Sequence, residues 1–457
     1  MSWTLQNWLQ NKLKEKLKWK KFFVVLDDLR NENYHDGSIL RATFEAGAPR
    51  STIVITTRNE GVSSMTVKRC KGSPLAAKVL DGFLLSKMNR HEWEDVLKSK
   101  IWDLPQMESE IYAALMLSYH HLPSHLKRCF AYCSILPKDY LFEEKRLVLL
   151  WMAEGDICFK MEDRVWDNNG RKPSTKARYL SYLGGYLDGI QKFEVFNDLT
   201  CSRTFLPFML SFLGRCCLTS NVPLKLLPKL QRLRVLSFSG YRMYELPESI
   251  GDLKYLRFLD LSWTTIRSLP DSVATLYNLQ TLILECCYYI KKLPSTFGNL
   301  VNLRHLNIRG ANALEGMPPQ MGKLTCLQSL SNIVVGKGSY SRVIKELGPL
   351  LHLRETLCIS GLENVINRED VRDARLIEKH NLYRLSLEWN GNLDESQDRT
   401  SEFDVLNILQ PHKGLKKLTV KHYGCAKFPT WLKVPSFSNM VRLEIESCAK
   451  CTSLPLV

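Results

Sequence analysis

One arrangement of leucine residues recurs along the middle of the chain at nearly constant intervals. The phrase Leu253-Lys-Tyr-Leu-Arg-Phe-Leu-Asp-Leu261 has counterparts that begin at Leu230, Leu276 and Leu300, so that the four first leucines are separated by 23, 23 and 24 residues. A regular period of this length predicts a stack of similar units, because one unit alone cannot bury its own leucines.

The spacing inside each phrase predicts a short β-strand with two different faces. Because side chains alternate along a strand, Leu259 should enter the core while Phe258 and Asp260 point outward. The pattern L-x-x-L-x-x-L-x-L with a period in the low twenties is typical of leucine-rich repeats. The sequence therefore predicts a leucine-rich-repeat solenoid over residues 226–457, with looser repeats after Leu330.

The outward positions of the predicted strands should line one concave surface, which we expect to bind a protein partner. Phe258 and Ile283 are expected to be exposed there, and exposed apolar side chains favour a protein partner. The alternative is an inert, solvent-exposed sheet. The nine predicted partner-binding residues are Val235, Ser237, Phe258, Asp260, Thr281, Ile283, His305, Asn307 and Arg309.

The return part of each repeat carries a Leu-Pro pair, as at Pro247 and Pro270. We expect each proline to end the return segment, because its ring is incompatible with a continuing helix. Thr264 and Cys287 occupy the position whose side chain satisfies the backbone of the turn, where such repeats often carry Asn or Cys.

Two runs of apolar residues near the amino terminus predict neighbouring parallel strands. Residues 21–28 read Lys-Phe-Phe-Val-Val-Leu-Asp-Asp, which is typical of a central strand buried on both faces. Asp27 and Asp28 then fall at its carboxyl end, where α/β sheets place ligands. They could hold the magnesium of a nucleotide or form a solvated strand end. Arg58, which closes the run 51–58, could reach a γ-phosphate or pair with a carboxylate.

Length and composition indicate a folded protein of several domains. The chain has 457 residues, of which 45% are hydrophobic, and this is enough for two to four cores. Its formal net charge of +16 raises the possibility of nucleic-acid binding. The densest basic run lies in residues 1–20, where leucines at helical spacing predict an amphipathic helix with a solvated basic face. We therefore expect no specific nucleic-acid partner.

The sequence predicts an intracellular location. No apolar run approaches the roughly 18 residues that cross a bilayer, and the amino terminus lacks a secretory apolar segment. We predict the cytoplasm, with the nucleus or the membrane periphery as alternatives. The 14 cysteines are scattered and should be reduced, and Cys448-x-x-Cys451 has no second pair to complete a metal site.

Several ordered motifs resemble one protein family. They are Val24-Val-Leu-Asp-Asp28, Ile55-Thr-Thr-Arg58, Gly72-Ser-Pro-Leu-Ala-Ala77 and the long phrase from Leu115 to Pro137. In this order, and followed by leucine-rich repeats, they resemble the plant nucleotide-binding (NB-ARC), leucine-rich-repeat disease resistance proteins. The resemblance covers nearly the whole chain. It is closest to the coiled-coil class and to its downy-mildew-resistance-like members.

The resemblance implies a molecular switch that is inactive with ADP and active with ATP and Mg²⁺. By this similarity Asp27 matches the magnesium-site aspartate, Asp28 the neighbouring catalytic-site acid and Arg58 the sensor arginine. Gly72 and Pro74 match the motif whose proline packs against adenine. The repeats would sense a pathogen effector or a guarded host protein.

The departures from the family pattern predict that this switch is incomplete. No G-x-x-x-x-G-K-[ST] phosphate loop occurs in the sequence, and the family's Met-His-Asp motif is missing between Gly155 and Pro173. We interpret the chain as a truncated member that is not an enzyme and does not retain the nucleotide. The alternative is a non-switching leucine-rich-repeat scaffold or the product of a pseudogene.

The predicted fold class is α/β, with a partial P-loop-NTPase-like parallel sheet, helical and winged-helix segments, and then the solenoid. The expected domains are an amphipathic helix at 1–20, a partial NB-ARC domain at 21–69, a helical segment at 70–105, a winged-helix segment at 106–160, a linker at 161–225 and repeats at 226–457.

Overall fold

The structure is a computed structural model that describes part of the chain in detail. The described residues are 23–26, 52–55, 115–116, 119–120, 122–136, 143–155, 165–166, 178–184, 187–194, 199–209, 216–390, 400–432, 437 and 439–452. The chain divides into two compact units, Met1–Lys127 and Arg128–Val457.

The first unit contains the two strands predicted near the amino terminus. Strands β1 (Phe23–Leu26) and β2 (Thr52–Ile55) pair in parallel, with Phe23 opposite Thr52 and Leu26 opposite Ile55. The prediction of adjacent parallel strands is therefore confirmed. Both strands consist mainly of β-branched and large apolar residues, which suit a pleated surface that is covered on its faces.

The remaining elements are short helices and strands in the order expected for repeats. The α-helices are α1 (Ser124–Tyr132), α2 (Glu144–Glu154), α3 (Ile190–Phe193), α4 (Asn221–Leu226), α5 (Arg368–Asp373) and α6 (Thr400–Ile408). The strands are β3 (Val165–Trp166), β4 (Tyr179–Gly184), β5 (Leu187–Asp188), β6 (Thr204–Met209), β7 (Cys216–Leu218), β8 (Val235–Ser237), β9 (Tyr241–Arg242), β10 (Phe258–Asp260), β11 (Thr281–Ile283), β12 (His305–Asn307), β13 (Ser329–Leu330), β14 (Asn332–Val334), β15 (Glu355–Ser360), β16 (Leu382–Glu388), β17 (Lys417–Lys421) and β18 (Arg442–Glu446). Turns of 3₁₀ helix lie at Cys133–Ile135, Leu227–Lys229, Glu248–Asp252, Asp271–Thr275, Phe297–Asn299, Met321–Lys323, Gly338–Leu347, Leu362–Asn364, Leu376–Glu378 and Thr430–Leu432.

The second unit is built on two parallel sheets. Eight strands lie in the order β13-β12-β11-β10-β8-β6-β4-β3, and five lie in the order β14-β15-β16-β17-β18. Strands β5, β7 and β9 form a smaller third sheet. The change from the eight-stranded to the five-stranded sheet occurs at Ser331, between β13 and β14. This change of sheet coincides with the loss of regular repeat spacing after Leu330 in the sequence.

The repeat leucines align across the eight-stranded sheet as their spacing predicts. Leu259 stands opposite Leu236 on one side and Leu282 on the other, and Leu282 stands opposite Leu306. All four are at most 1% exposed and belong to one continuous core. Because the alternating residues lie on the other side of the strands, the predicted register is confirmed. We call that other side the strand face.

The turns after the strands confirm one part of the expected repeat chemistry and correct another. The hydroxyl of Thr264 donates to the Leu261 carbonyl at 2.7 Å, and the Cys287 thiol donates to the same carbonyl at 3.0 Å. Pro247 and Pro270, however, immediately precede 3₁₀ turns and do not end them. Proline suits this position because its fixed φ is already helical and its missing N–H has no helical partner there.

Gly361 provides a test of how tightly successive repeats pack. It has a φ of 77°, and a Cβ atom at this position would lie 2.2 Å from the carbonyl oxygen of Val335. We expect Gly361→Ala to lower the free energy of unfolding by about 2 kcal/mol, because the left-handed backbone alone costs an L-residue about 1–2 kcal/mol. Urea denaturation measures this change.

Gly189 is the matched control for this substitution. It has a φ of −89°, and a Cβ atom there would meet no heavy atom within 4 Å. Gly189→Ala should leave the midpoint of unfolding nearly unchanged. Equal effects of the two substitutions would show that neither the left-handed backbone of Gly361 nor its contact with Val335 constrains the repeat.

Candidate functional site

The residues predicted to bind nucleotide lie outside the described part of the chain. Asp27 directly follows β1, and Arg58 follows β2 by three positions. Because β1 and β2 are parallel, their carboxyl ends share one edge of the sheet. The structure describes no side chain there, and the roles of Asp27, Asp28, Arg58, Gly72 and Pro74 remain predictions.

The strand face carries a second apolar cluster that is separate from the leucine core. Val235, Phe258 and Ile283 contribute to it, and all three are buried. Leu150 and Ala153 of α2 pack against them from outside the sheet. The expectation that Phe258 and Ile283 are exposed is therefore wrong, because α2 lies over this part of the strand face.

An ion pair fixes α2 to the centre of the strand face. Arg146 of α2 donates through its guanidinium to Asp260, whose carboxylate is completely buried. The other carboxylate oxygen of Asp260 accepts from the backbone N–H of Ser262 at 2.9 Å and from the Ser262 hydroxyl. Separating Arg146 from Asp260 would leave a buried charge without its partner, which is costly, so the ion pair holds α2 on the sheet.

The carboxyl end of α2 makes a second set of contacts. Gly155 ends the helix with a φ of 63°, and the backbone carbonyl of Glu154 accepts from the guanidinium of Arg234. The Glu154 carboxyl is buried and accepts from the Thr204 hydroxyl through Oε1, while no hydrogen-bond partner within the described residues reaches Oε2. Tyr132 of α1 lies 3.4 Å from the same Thr204 hydroxyl oxygen.

Burial of Glu154 favours its neutral form, against the effect of nearby positive charges. Burial raises the pKa of Glu154 to about 7, although the hydrogen bond from Thr204 and the nearby guanidinium groups act in the opposite direction. Those guanidiniums belong to Arg234, Arg203 and Arg257. The pKa of Arg234 is lowered, first by burial and then by repulsion from the other two arginines. Proton uptake by Glu154 therefore occurs close to neutral pH.

The other predicted partner-binding residues differ in their accessibility. Thr281 and Ser237 are buried, while His305 and Asn307 are half-buried and Arg309 is exposed. Nδ1 of His305 lies 2.9 Å from the Ser329 hydroxyl oxygen, and burial lowers the His305 pKa to about 4. The Asn307 amide donates to Glu285 at 3.2 Å. Their role in partner binding remains a prediction.

Sequence reasoning missed Arg146, Glu154 and Arg234 as residues of this site. Arg146 and Asp260 are 114 positions apart, and α2 carries apolar residues on several sides, so no periodicity shows which side packs. One signal was available. Glu154 precedes a glycine at the end of α2, and an acid in this place is unfavourable next to the partial negative charge of the helix carboxyl terminus.

Three further observations concern the cysteine pair near residue 450, possible metal ligands and membrane-spanning helices. Cys451 donates to the Cys425 carbonyl at 3.0 Å, and burial raises the pKa of Cys451 to about 11. In the part of the chain that the structure describes, no three His, Cys, Asp or Glu side chains come together as metal ligands. None of the described helices combines the length and the apolar character that crossing a bilayer requires.

Comparisons with known protein families find an NB-ARC domain first and leucine-rich repeats after it, in the order that the sequence predicts. The NB-ARC domain family matches residues 2–80, a leucine-rich repeat region matches residues 209–287, and the R13L1/DRL21 leucine-rich repeats match residues 344–457. NB-ARC domains bind nucleotides and act as NTPase-like switches.

Several curated relatives match along nearly the whole chain, and two of them illustrate the match. The disease resistance RPP13-like protein 1 of Arabidopsis thaliana is 38% identical over 546 residues, which cover 98% of this chain and 52% of the relative. Disease resistance protein RGA2 of Solanum bulbocastanum is 36% identical over 517 residues, with coverage of 98% and 52%. The chain spans about half the length of the curated relatives it matches.

Among solved structures, a leucine-rich-repeat protein of Leptospira interrogans is similar with a TM-score of 0.33 and 17% identity, over 59% of this chain and 67% of that chain. Segments of the chain match the NB-ARC domain and leucine-rich repeat families, and nearly its whole length is similar to plant disease resistance proteins.

Proposed function

We propose that this chain is the recognition part of an intracellular plant immune receptor, in which the strand face binds a pathogen effector or a guarded host protein. The observation that supports this most is the ion pair between Arg146, which is partly exposed, and the buried carboxylate of Asp260. It joins the segment that resembles a winged helix to the surface predicted to bind the partner. A partner that occupies this part of the strand face must displace α2, and binding would thereby release the segment.

A leaf assay tests the recognition role. Transient expression of the chain, with and without pathogen challenge, should give a defence response that depends on the strand face. Arg309→Glu changes an exposed residue of that face, whereas Arg232→Glu makes the same charge change at an exposed position outside it. We expect the first variant to lose the response and the second to keep it. A response of equal strength in both variants would contradict recognition at this face.

Nucleotide binding is the part of the family activity that we propose this chain does not retain. A phosphate loop surrounds the β-phosphate with backbone N–H groups and adds a lysine, and the 457 residues contain no such loop. Losing two charge-assisted hydrogen bonds at about 1.5–3 kcal/mol each weakens binding by roughly a hundredfold to ten-thousandfold. We therefore expect negligible ADP binding and no ATP hydrolysis.

Calorimetric titration of the purified chain with ADP and Mg²⁺ checks this expectation. The matched variant is Asp27→Ala, which removes the carboxylate that resembles the magnesium ligand. No heat of binding is expected for either protein. Micromolar binding that disappears in Asp27→Ala would show that a working site exists and that the chain can switch.

A non-switching repeat scaffold is the second candidate function. The absence of a phosphate loop favours it, because a scaffold needs the strand face and no nucleotide. The two candidates differ in one measurable property: a scaffold should bind its partner equally well with ADP, with ATP and without nucleotide. An immunoblot of the leaf extract shows at the same time whether the protein accumulates, which a pseudogene product need not do.

A further inference from the structure

A row rich in arginine crosses the strands of the second unit, at the position just before each of β4, β6, β8, β10, β11, β12, β13 and β15. The backbone N–H of each residue after the first donates to the carbonyl of the equivalent residue one repeat earlier, at 2.6–2.9 Å. Six of the eight residues are arginine: Arg178, Arg203, Arg234, Arg257, Gln280, Arg304, Gln328 and Arg354. We call this row the arginine ladder. Neighbouring strands are about 4.8 Å apart, so the first four arginines place like charges side by side, whereas Gln280 and Gln328 separate the later arginines.

The first half of the ladder is covered by acceptors from the protein itself. The carboxyl end of α2 lies against Arg234, whose guanidinium donates to the Glu154 carbonyl. The carboxyl group of Glu154 lies in the field of Arg203, Arg234 and Arg257. A helix carboxyl terminus carries partial negative charge, so it offsets the repulsion among these guanidiniums. A polypeptide acceptor therefore already binds Arg234, in the first half of the ladder.

The second half of the ladder ends in an open cleft of about 700 Å³. Arg354, the last residue of the ladder, lines this cleft together with Arg384 of β16 and Lys145 of α2. Its other walls include Asn381, Tyr383 and Gln328, and every residue that lines it is polar or aromatic with a polar group. The cleft lies next to the change from the eight-stranded to the five-stranded sheet.

The two guanidiniums in this cleft have only neutral partners in the described part of the chain. Arg354 donates to the side-chain amide oxygen of Gln328, and the guanidinium of Arg384 lies 5.8 Å from the centre of the Tyr383 ring. The one carboxylate of the cleft, on Glu355, pairs with Lys145 at 2.5 Å. Among the ion pairs of the described residues none includes Arg354 or Arg384. Two exposed cations therefore remain available to an anion.

The backbone at this cleft has an unusual conformation at Glu355 and a register shift beside it. Regular packing of the repeats requires neither. Glu355 has a φ of 68°, which is unfavourable for a residue with a side chain, and the β15–β16 pairing shifts register between Glu355 and Thr356. The shift leaves Tyr383 without a residue opposite it. Irregular strand positions of this kind concentrate next to binding sites.

From these observations we propose that the cleft binds a polypeptide segment rich in aspartate or glutamate, supplied by the partner protein. Arg354 and Arg384 bind the carboxylates, since guanidinium and carboxylate groups match in planar geometry. The amides of Asn381 and Gln328 can bond the backbone of the segment. This inference rests on the proposed role of the repeats in protein recognition, and it names the chemistry of what they recognise.

A peptide fits this cleft better than a polyphosphate does. Glu355 places a carboxylate in the wall, which repels a dense multivalent anion more than it repels spaced single charges. The amide and phenol groups also suit an extended backbone, which needs donors and acceptors together. A polyphosphate would use cations alone.

Fluorescence anisotropy of labelled hexaglutamate with the full chain tests the proposal. We expect binding that weakens several-fold as NaCl rises from about 50 to about 200 mM, because the charges are exposed. Labelled hexaglutamine should not bind. The double variant Arg354→Gln/Arg384→Gln should bind hexaglutamate at least about tenfold more weakly, since two charge-assisted contacts are lost.

The matched control is Lys337→Gln/Lys413→Gln, which removes the same charge at two exposed positions outside the cleft. It should bind hexaglutamate as the unmodified chain does. Equal loss in both double variants, or no binding by the unmodified chain, would overturn the proposal. Tripolyphosphate that competes at a lower concentration than free hexaglutamate would also overturn it. Circular dichroism melting confirms that each variant is folded.

The leaf assay separates the failure of this inference from the failure of the proposed function. It uses Arg309 and Arg232, neither of which lines the cleft. A defence response that depends on Arg309, in a chain that does not bind hexaglutamate, would refute only the acidic-peptide inference. Hexaglutamate binding by a chain that gives no response would refute only the receptor role.

Discussion

Asp260→Ala is expected to lower the free energy of unfolding by about 3 kcal/mol, because it leaves the guanidinium of Arg146 against an apolar surface without its partner. The Asp260 carboxylate is completely buried, and the Arg146 side chain is 34% exposed, so solvent screens only part of the interaction. The substitution also removes the acceptor for the Ser262 backbone N–H. Urea denaturation monitored by circular dichroism measures the change.

A double-mutant cycle separates the ion pair from the other effects of Asp260. Arg146→Met keeps the apolar stem that packs on the strand face, and Asp260→Asn keeps an acceptor for Ser262. The coupling free energy between these two substitutions should be about 1–3 kcal/mol. Asp252→Ala, at an exposed position of a 3₁₀ turn, is the control and should have almost no effect. Additive effects of the two substitutions would show that Arg146 and Asp260 do not stabilise each other.

The repeat region was largely predictable because its physics is local. Leu259 and Leu282 had to share one side of the sheet, since alternation along a strand and a period of 23 residues leave no other arrangement. Thr264 and Cys287 were recognised because only a few side chains can satisfy a turn carbonyl. Each of these conclusions depends on residues within one or two repeats.

The cover over the strand face could not be predicted in the same way. The sequence places Phe258 and Ile283 on the outer side, but it does not say what packs there. Apolar residues on the outer side of a strand can form an exposed patch, or another segment of the chain can pack over them. Both arrangements require the same alternation of apolar and polar residues along the strand. Contacts from residues about a hundred positions or more earlier in the chain, such as Leu150 and Ala153, distinguish them.

The arginine ladder is also invisible in a single repeat. It becomes clear only when equivalent positions of several repeats are compared. In a single phrase, Arg257 before Phe258 is one cation among many. Backbone bonding from Arg178 to Arg354 shows that these positions are equivalent and adjacent. The cleft beyond them depends on a register shift at Glu355, which no leucine spacing predicts.

The stability of α2 on the strand face should fall as the pH rises from about 5 to about 8. The pKa of Glu154 is about 7 in the folded chain and 4.5 in a fully hydrated state. Between these values the folded chain holds a proton that the unfolded chain has released, so stability decreases with rising pH in this window. Below about 4.5 both states are protonated, and above about 7 both are ionised, so Glu154 adds no slope there.

Glu154→Gln should abolish this dependence, because the amide keeps an acceptor for Thr204 and never becomes charged. At 1.36 kcal/mol for each pKa unit, the shift corresponds to roughly 3 kcal/mol in favour of the variant above pH 7 and almost none near pH 4. The difference in urea stability between the two proteins, measured across this range, cancels the contributions of other titrating groups. Hydrogen exchange at Glu144–Glu154 shows whether the loss is local opening of α2 or global unfolding. A difference that stays constant with pH would mean that Glu154 titrates normally, and that Arg203, Arg234 and Arg257 compensate fully for its burial.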